Sequence, residues 1–164
     1  MAKFFLGIAI VAFTSFCGYL FASKYRKRKL FFKQFKEFNE RFLSEIAYYR
    51  RPIKEFAAKY TYQGEFKLLL EDFFEGIDGR SAADRAIVDM PAYKFLTAEE
   101  KRTIEDYLLM LGKGDSASQK GYFSSVKDTL ATLQSESETA CKKYGDLYVK
   151  LGFLCGLLIL ILLI

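Results

Sequence analysis

The chain has no histidine and no tryptophan, only two prolines, and three cysteines among its 164 residues. Without histidine it lacks the side chain most often used as a general base or metal ligand near neutral pH. The cysteines, Cys17, Cys141 and Cys155, form no CxxC or other metal-ligand spacing, and their number is odd. Cys17 and Cys155 lie in apolar runs and Cys141 in a helical pattern, so all three read as reduced structural thiols rather than disulfide partners or metal ligands. With Pro52 and Pro91 the only prolines, long stretches have no helix breaker. Charge is also missing from both ends: residues 4–23 carry none, and neither do residues 151–164.

The residues that are present are unevenly placed. Hydrophobic residues make up 51% of the chain and charged residues an ordinary 27%, so the two populations must be segregated. Residues 4–23 are long enough to cross a bilayer, because about 20 helical residues span a hydrocarbon core of about 30 Å. A cleaved secretory signal would need a small-x-small site, for which Phe21, Ala22 and Ser23 are poor. The basic cluster behind them (Lys24, Arg26, Lys27, Arg28 and Lys29) would also resist export, so an uncleaved anchor is expected. Only Lys3 and the amino terminus lie before the run, and the excess of basic residues after it places Lys24 and the rest of the middle domain in the cytoplasm. The second run, 151–164, is shorter than a usual span of about 20 residues. Leu147, Tyr148 and Val149 extend it, and Lys150 can snorkel to the headgroups. Residues 157–164 offer no polar position, so a second anchor is expected rather than a buried core helix. The expected organisation is an N-terminal transmembrane helix (1–23), a cytoplasmic helical domain (24–146) and a C-terminal transmembrane helix (147–164).

The formal net charge of +5 is compatible with nucleic acid or an anionic membrane. Position favours the membrane: the densest basic run abuts an apolar one, as in juxtamembrane segments. The middle of the chain alternates signs instead, as in Glu65–Lys67 and Glu99–Arg102, so no nucleic-acid partner is expected.

The middle reads as helix throughout. Phe31, Phe35, Phe38, Phe42, Ile46 and Tyr49 recur at spacings of three and four, one stripe of a helix that nothing separates from the first anchor. Pro52 ends it and opens a short helix to about Tyr60. Gln63 and Gly64 break the chain before a stripe of Phe66, Leu69, Leu70, Phe73 and Ile77, which Gly76 and Gly79 end. A short capped helix is expected from Ser81 to about Asp89, stopped at Met90 and Pro91. Thr97 and Glu100 form a capping box for a helix carrying Ile104, Leu108 and Leu111. Residues 112–116 read as a loop whose Asp115 or Ser116 caps a final helix. Its seam is Phe123, Val126, Leu130, Leu133, Ala140, Tyr144 and Leu147, with Ser137 the one polar interruption, and it should pack on the Phe31 stripe. The fold class is therefore all-α, a bundle of about six helices with a transmembrane helix at each end. No run alternates polarity as a strand would.

Searching this frame for chemistry yields no active site and no cofactor site. Gly112, Lys113 and Gly114 lack the spacing and strand–helix context of a phosphate loop. The carboxylate pairs Glu71–Asp72 and Glu99–Glu100 have no partner base, and Ser124 and Ser125 have neither a histidine nor a nucleophile elbow. In the second anchor, Gly152 and Gly156 stand in a GxxxG spacing that lets helix backbones approach in lipid, and Gly7 and Gly18 offer smaller notches in the first. Such glycines serve association between the two anchors or with another protein, or are simply common in membrane helices.

Three stretches together resemble the stage III sporulation protein AB family of endospore-forming bacteria. Around Leu43, Glu45, Ile46, Tyr48, Pro52 and Glu55 the chain is similar to a family Glu-Ile-x-Tyr segment followed by a Thr-Pro-Leu type turn. Leu111, Gly112 and Asp115 with Gln119 resemble a Leu-Gly-x-Ser-Asp segment with a downstream glutamine. Leu147, Tyr148, Leu151, Gly152, Leu154 and Gly156 resemble the terminal segment Leu-Tyr-x-x-Leu-Gly-x-Leu-x-Gly, the most specific of the three. The likeness runs in order over essentially the whole chain and departs at Arg51, where the family favours threonine, and at Gly114, where it favours serine. The resemblance implies a subunit of the channel-like complex between mother cell and forespore, in the mother-cell membrane around the forespore. It implies a domain similar to the cytoplasmic domains of type II secretion platform proteins. The implied partners are the secretion-type ATPase (stage III sporulation protein AA), other stage III sporulation membrane subunits and the lipid bilayer. Glu45, Tyr48, Pro52, Asp115 and Gln119 become candidate partner contacts, and Gly152 and Gly156 candidate packing positions. The alternatives are an anionic-lipid-binding scaffold, resting on Lys24 to Lys29, or a small-molecule sensor with a cavity in its bundle.

Overall fold

With no proline before Pro52, the first helix can run from the apolar end into the phenylalanine stripe, and it does: α1 extends unbroken from Ala2 to Tyr48, 47 residues. The structure is a computed structural model and describes residues 2–48, 53–79, 91–111 and 116–163. After α1 come α2 (Ile53–Lys59), α3 (Gly64–Gly79), a 3₁₀ turn (Pro91–Tyr93), α4 (Ala98–Leu111) and α5 (Ser116–Ala140). The π-helical turn Cys141–Gly145 then leads directly into α6 (Asp146–Leu163). Every regular element among the described residues is helical. About five joined helices are present among the described residues; the short helix expected over 81–89 lies outside them, as do Pro52 and residues 112–115.

The chain divides into two units. One comprises Leu30–Ser135, and the other pairs Met1–Lys29 with Glu136–Ile164. The first is a bundle around an aromatic core. Phe31, Phe35, Phe38 and Phe42 of α1 are all buried, together with Phe56 of α2, Phe66 and Phe73 of α3, Tyr107 of α4 and Phe123 of α5. Phe38 lies at its centre. Its ring centroid stands 5.4 Å from Phe56, 5.8 Å from both Tyr62 and Phe66, and 6.3 Å from Tyr107, all edge-on. Edge-to-face pairs of this kind add about 0.5–1.5 kcal/mol each beyond the area they bury. Phe42 meets Phe123 edge-on at 5.0 Å, so α5 packs on the phenylalanine stripe of α1 as its seam implies.

Three polar devices fix the register of this core. Asn39, 1% exposed, donates from Nδ2 to the Phe123 carbonyl (3.1 Å) and accepts at Oδ1 from the Tyr107 hydroxyl (3.0 Å). One side chain of α1 thus ties α4 and α5. The Gln34 amide pairs with the backbone of Gln63, donating to its carbonyl (3.0 Å) and accepting from its N–H (2.6 Å), which pins the α2–α3 connection to α1. Gly64 is next in the chain, at φ +60°, a left-handed conformation that only glycine adopts readily. At the head of α4 the capping box closes as expected. The Thr97 N–H donates to Glu100 Oε2 (2.8 Å), and the Glu100 N–H donates to Thr97 Oγ1 (3.3 Å).

Burial also sets the acid–base behaviour of the core. Desolvation holds the Tyr107 phenol well above its ordinary range and raises Tyr62 and Tyr122. It pushes Tyr93 up to about 12, helped by the negative charges of Asp72 and Glu65.

Candidate functional site

The second unit pairs the start of α1 with the π turn and α6. Helices α1 and α5–α6 each contain a stretch long and apolar enough to cross a membrane. Their large side chains point outward: Phe13, Phe16, Phe21, Leu154, Leu158 and Leu162 are exposed, the last to 79%. Their small residues point inward: Gly7, Gly18, Ala22, Gly145 and Gly156 are buried.

At Gly18 and Gly152 the two helices approach backbone to backbone. A Cβ placed on Gly18 would lie 2.6 Å from the Tyr148 carbonyl oxygen and 3.1 Å from the Cα of Gly152. One placed on Gly152 would lie 2.7 Å from the Thr14 carbonyl oxygen. At Gly156 it would meet the Thr14 hydroxyl and stand 2.9 Å from the Val11 Cα, and at Gly7 it would meet the Leu160 side chain. No side chain fits at Gly18 or Gly152 without separating the helices. This is the small-residue contact that lets helices associate where no water drives them together. Thr14, placed against Gly156, donates its hydroxyl to the carbonyls of Ile10 and Val11 (both 3.1 Å), so its polar group is satisfied within its own helix.

Where the glycine contact ends, an aromatic stack begins. Tyr25 stacks on Tyr144 (5.5 Å) and Tyr148 (5.9 Å), and Phe21 lies 6.1 Å from Tyr148. Two cations flank it: Lys24 Nζ lies 4.9 Å from the Tyr25 ring and Lys143 Nζ 5.2 Å from Tyr144, while the Arg26 guanidinium lies 4.8 Å from the separate Tyr19 ring. Amphipathic rings flanked by basic groups are the composition of a membrane–water interface.

The five basic residues of the 24–29 cluster do not form one solvent-facing patch. Lys24, Arg26 and Lys27 are exposed, whereas Arg28 and Lys29 are half-buried. Steps of about 100° along a helix carry consecutive residues right round it. Arg28 also approaches Glu136 at 4.0 Å. Of the candidate partner contacts, Glu45 is half-buried and paired with Lys59 Nζ at 3.6 Å, joining the end of α1 to α2. Pro52, Asp115 and the side chains of Tyr48 and Gln119 lie outside the described residues. The three cysteines are free thiols, Cys155 exposed and the others half-buried. Among the described residues no group of three or more His, Cys, Asp or Glu is placed to hold a metal.

Sequence reasoning did not find the Tyr25–Tyr144–Tyr148 stack, the π turn or the leading role of Gly18. The signal for the last was present: Gly18 and Gly152 are each succeeded four residues on by another small residue, Ala22 and Gly156.

A family model, stage III sporulation protein AB, matches residues 3–164. No curated protein and no solved structure matches the chain.

Proposed function

Because the chain belongs to the stage III sporulation protein AB family, we propose that it is a non-enzymatic platform subunit of the sporulation channel complex, in the mother-cell membrane around the forespore. Its partners in this reading are a cytoplasmic secretion-type ATPase and other stage III sporulation membrane subunits. The observation that carries the reading is the family match over nearly the whole chain, on a protein with two apolar helices of membrane length. The helical bundle of residues 30–135 supports it, since a rigid aromatic core presents a fixed surface to a partner. In this reading the chain comprises an anchor over 1–23, a cytoplasmic bundle over 24–146 and a second anchor over 147–164. The bundle serves as the counterpart of type II secretion platform domains. Glu45, Tyr48, Pro52, Asp115 and Gln119 contribute to the partner surface.

The test is co-purification. From sporulating cells solubilised in mild detergent, the tagged chain should retain the ATPase and at least one other stage III membrane subunit. Recovery of the chain without the ATPase, both being expressed, refutes the platform role and leaves membership and membrane association standing.

A second reading, an anionic-lipid scaffold, is favoured by the exposed Lys24, Arg26 and Lys27 beside the aromatic stack. Vesicles containing phosphatidylserine or phosphatidylglycerol should then bind a chain carrying residues 24–146 in a salt-dependent way, since surface charge is screened within about 8 Å at physiological ionic strength. Binding indifferent to salt and lipid charge refutes it.

A further inference from the structure

The basic residues at the membrane end of α1 are not equivalent. Arg28 is committed to Glu136, at 4.0 Å. Lys24 is exposed and has no carboxylate in ion-pair range among the described residues. The same holds for Lys143, an exposed lysine of the π turn Cys141–Gly145. Each ammonium lies instead against a tyrosine ring, Lys24 Nζ 4.9 Å from Tyr25 and Lys143 Nζ 5.2 Å from Tyr144. Those two rings stack on each other at 5.5 Å, with 27° between their planes. One ammonium from α1 and one from the π turn are therefore held at a single pair of rings. Like charges gathered at one place repel. The one acidic residue of α6, Asp146, does not relieve them, since it stands two residues from Tyr148, about 200° round the helix. The phenols add unspent donors: the Tyr25 and Tyr144 hydroxyls have no hydrogen-bond acceptor among the described residues.

We propose that the stacked tyrosines and the two lysines form a discrete site for the phosphate of one anionic phospholipid, shared between α1 and the π turn. Ammonium and phenol groups donate to phosphodiester oxygens, and hydrogen bonds assisted by charge are the strong ones. What flanks the donors selects a lipid over a soluble phosphate. Phe21 stands one turn before Tyr25 and 6.1 Å from Tyr148, yet is 61% exposed. Leu151 stands one turn beyond Tyr148, on the side of Tyr144, and is 44% exposed. A phosphate at the lysines thus has apolar surface directly beside it, where acyl chains can lie. π turns are uncommon and occur mostly at functional sites, and this one carries both Lys143 and Tyr144. Because residues of both helices hold the phosphate, its binding also favours their pairing. The inference rests on the anionic-lipid reading above and narrows it, from a diffuse charged surface to one saturable site.

The test counts lipids on the full chain by native mass spectrometry, in mild detergent with equimolar phosphatidylglycerol and phosphatidylcholine. The native chain should retain one phosphatidylglycerol in preference to phosphatidylcholine. Lys24→Gln with Lys143→Gln should lower that preference at least about ten-fold, the effect of losing hydrogen bonds to charged groups. Lys142→Gln with Lys150→Gln removes the same charge from exposed neighbours and should lower it about two-fold or less. Tyr25→Phe with Tyr144→Phe keeps the rings and the charge, removes two donors, and should lower it about five-fold. Equal losses in the two lysine pairs overturn the site and leave the diffuse reading standing, as does an unchanged preference in the phenylalanine pair. No preference for phosphatidylglycerol in the native chain overturns both. Glycerol 3-phosphate at the lipid's concentration should not displace it. Displacement assigns the donors to a soluble phosphate and overturns the lipid as occupant.

Discussion

Replacing Tyr107 by phenylalanine removes one oxygen from the bundle and leaves the shape of its core intact. Its effect should depend on Asn39. In the native chain the Tyr107 hydroxyl donates to Asn39 Oδ1 at 3.0 Å, and both residues are 1% exposed. Removing the hydroxyl forfeits a hydrogen bond and strands a buried acceptor, which costs about 1–3 kcal/mol. Asn39→Ala breaks two bonds, strands the Tyr107 hydroxyl and opens a small void, for about 2–4 kcal/mol. Once Asn39 is gone the hydroxyl has lost this partner, so adding Tyr107→Phe to Asn39→Ala should cost nothing further or recover part of the loss. The coupling between the two sites is then about 1–3 kcal/mol, well above the roughly 0.5 kcal/mol seen for independent sites. Urea unfolding of the full chain in mild detergent, monitored by far-ultraviolet circular dichroism, gives all four corners of the cycle. In a domain of roughly 100 residues each kcal/mol moves the melting temperature by about 4–8 °C, so thermal melts provide a check. Equal cost of Tyr107→Phe with and without Asn39 would refute the bridge, because the hydroxyl would then owe nothing to the amide.

The raised phenols make a directional prediction for pH. An acid whose pKa is higher folded than unfolded stabilises the fold below the unfolded value, about 10, and that stability is lost as pH climbs through the folded value. For Tyr93 the loss runs from about pH 10 to about 12. Tyr107→Phe should flatten the fall in stability above pH 10, and an unchanged slope counts against its burial as the cause. Gly152→Leu should separate the α1–α6 pair, because its side chain would strike the Thr14 carbonyl. A disulfide between Gly7→Cys and Leu160→Cys, introduced together in a chain whose native cysteines are replaced by serine, should then fail to form while the bundle's urea midpoint stays put. Thr97→Ala should cost about 1 kcal/mol by opening the capping box at α4, measured from the same urea curves.

Period and punctuation made most of the bundle legible in the sequence. The phenylalanine stripe of α1, the break at Gln63–Gly64 and the box at Thr97–Glu100 are local signals, and each element formed where its signal stood. The polar ties were not legible. Gln34 and Asn39 look like ordinary polar residues on an amphipathic helix, and only the tertiary fold brings Gln63 and Tyr107 within 3.0 Å of them. The π turn was hidden for a different reason. The expected seam continued through Tyr144 and Leu147, since large apolar residues signal burial in water. Gly145 is buried instead, Leu147 is exposed, and Tyr144 lies at the surface with its ring stacked on Tyr25.

That reversal is itself an argument about solvent. In water, a helix gains stability by burying its largest apolar groups, at about 25 cal/mol per Å². The bundle obeys this rule, filling its centre with phenylalanine rings. In lipid, exposing a phenylalanine costs nothing, and helices associate through close backbone packing around small residues. The paired ends obey this second rule, burying glycine and alanine while Phe13 stands 69% exposed and Leu162 79%. A single helix, α1, obeys both. Its buried residues are Gly7, Gly18 and Ala22 at one end, and Phe31, Phe32, Phe35 and Phe38 at the other. The change falls between residues 22 and 31, the interval that holds Lys24, Arg26, Lys27, Arg28, Lys29 and the Tyr25 stack. Three independent features of the chain therefore change over the same nine residues: the size of the buried side chains, the appearance of charge, and the position of the stacked tyrosines. A soluble core helix has no reason to invert its packing rule along its length. In the membrane reading proposed above, the change marks where α1 leaves the bilayer, at the headgroups, where basic and amphipathic aromatic side chains are most stable.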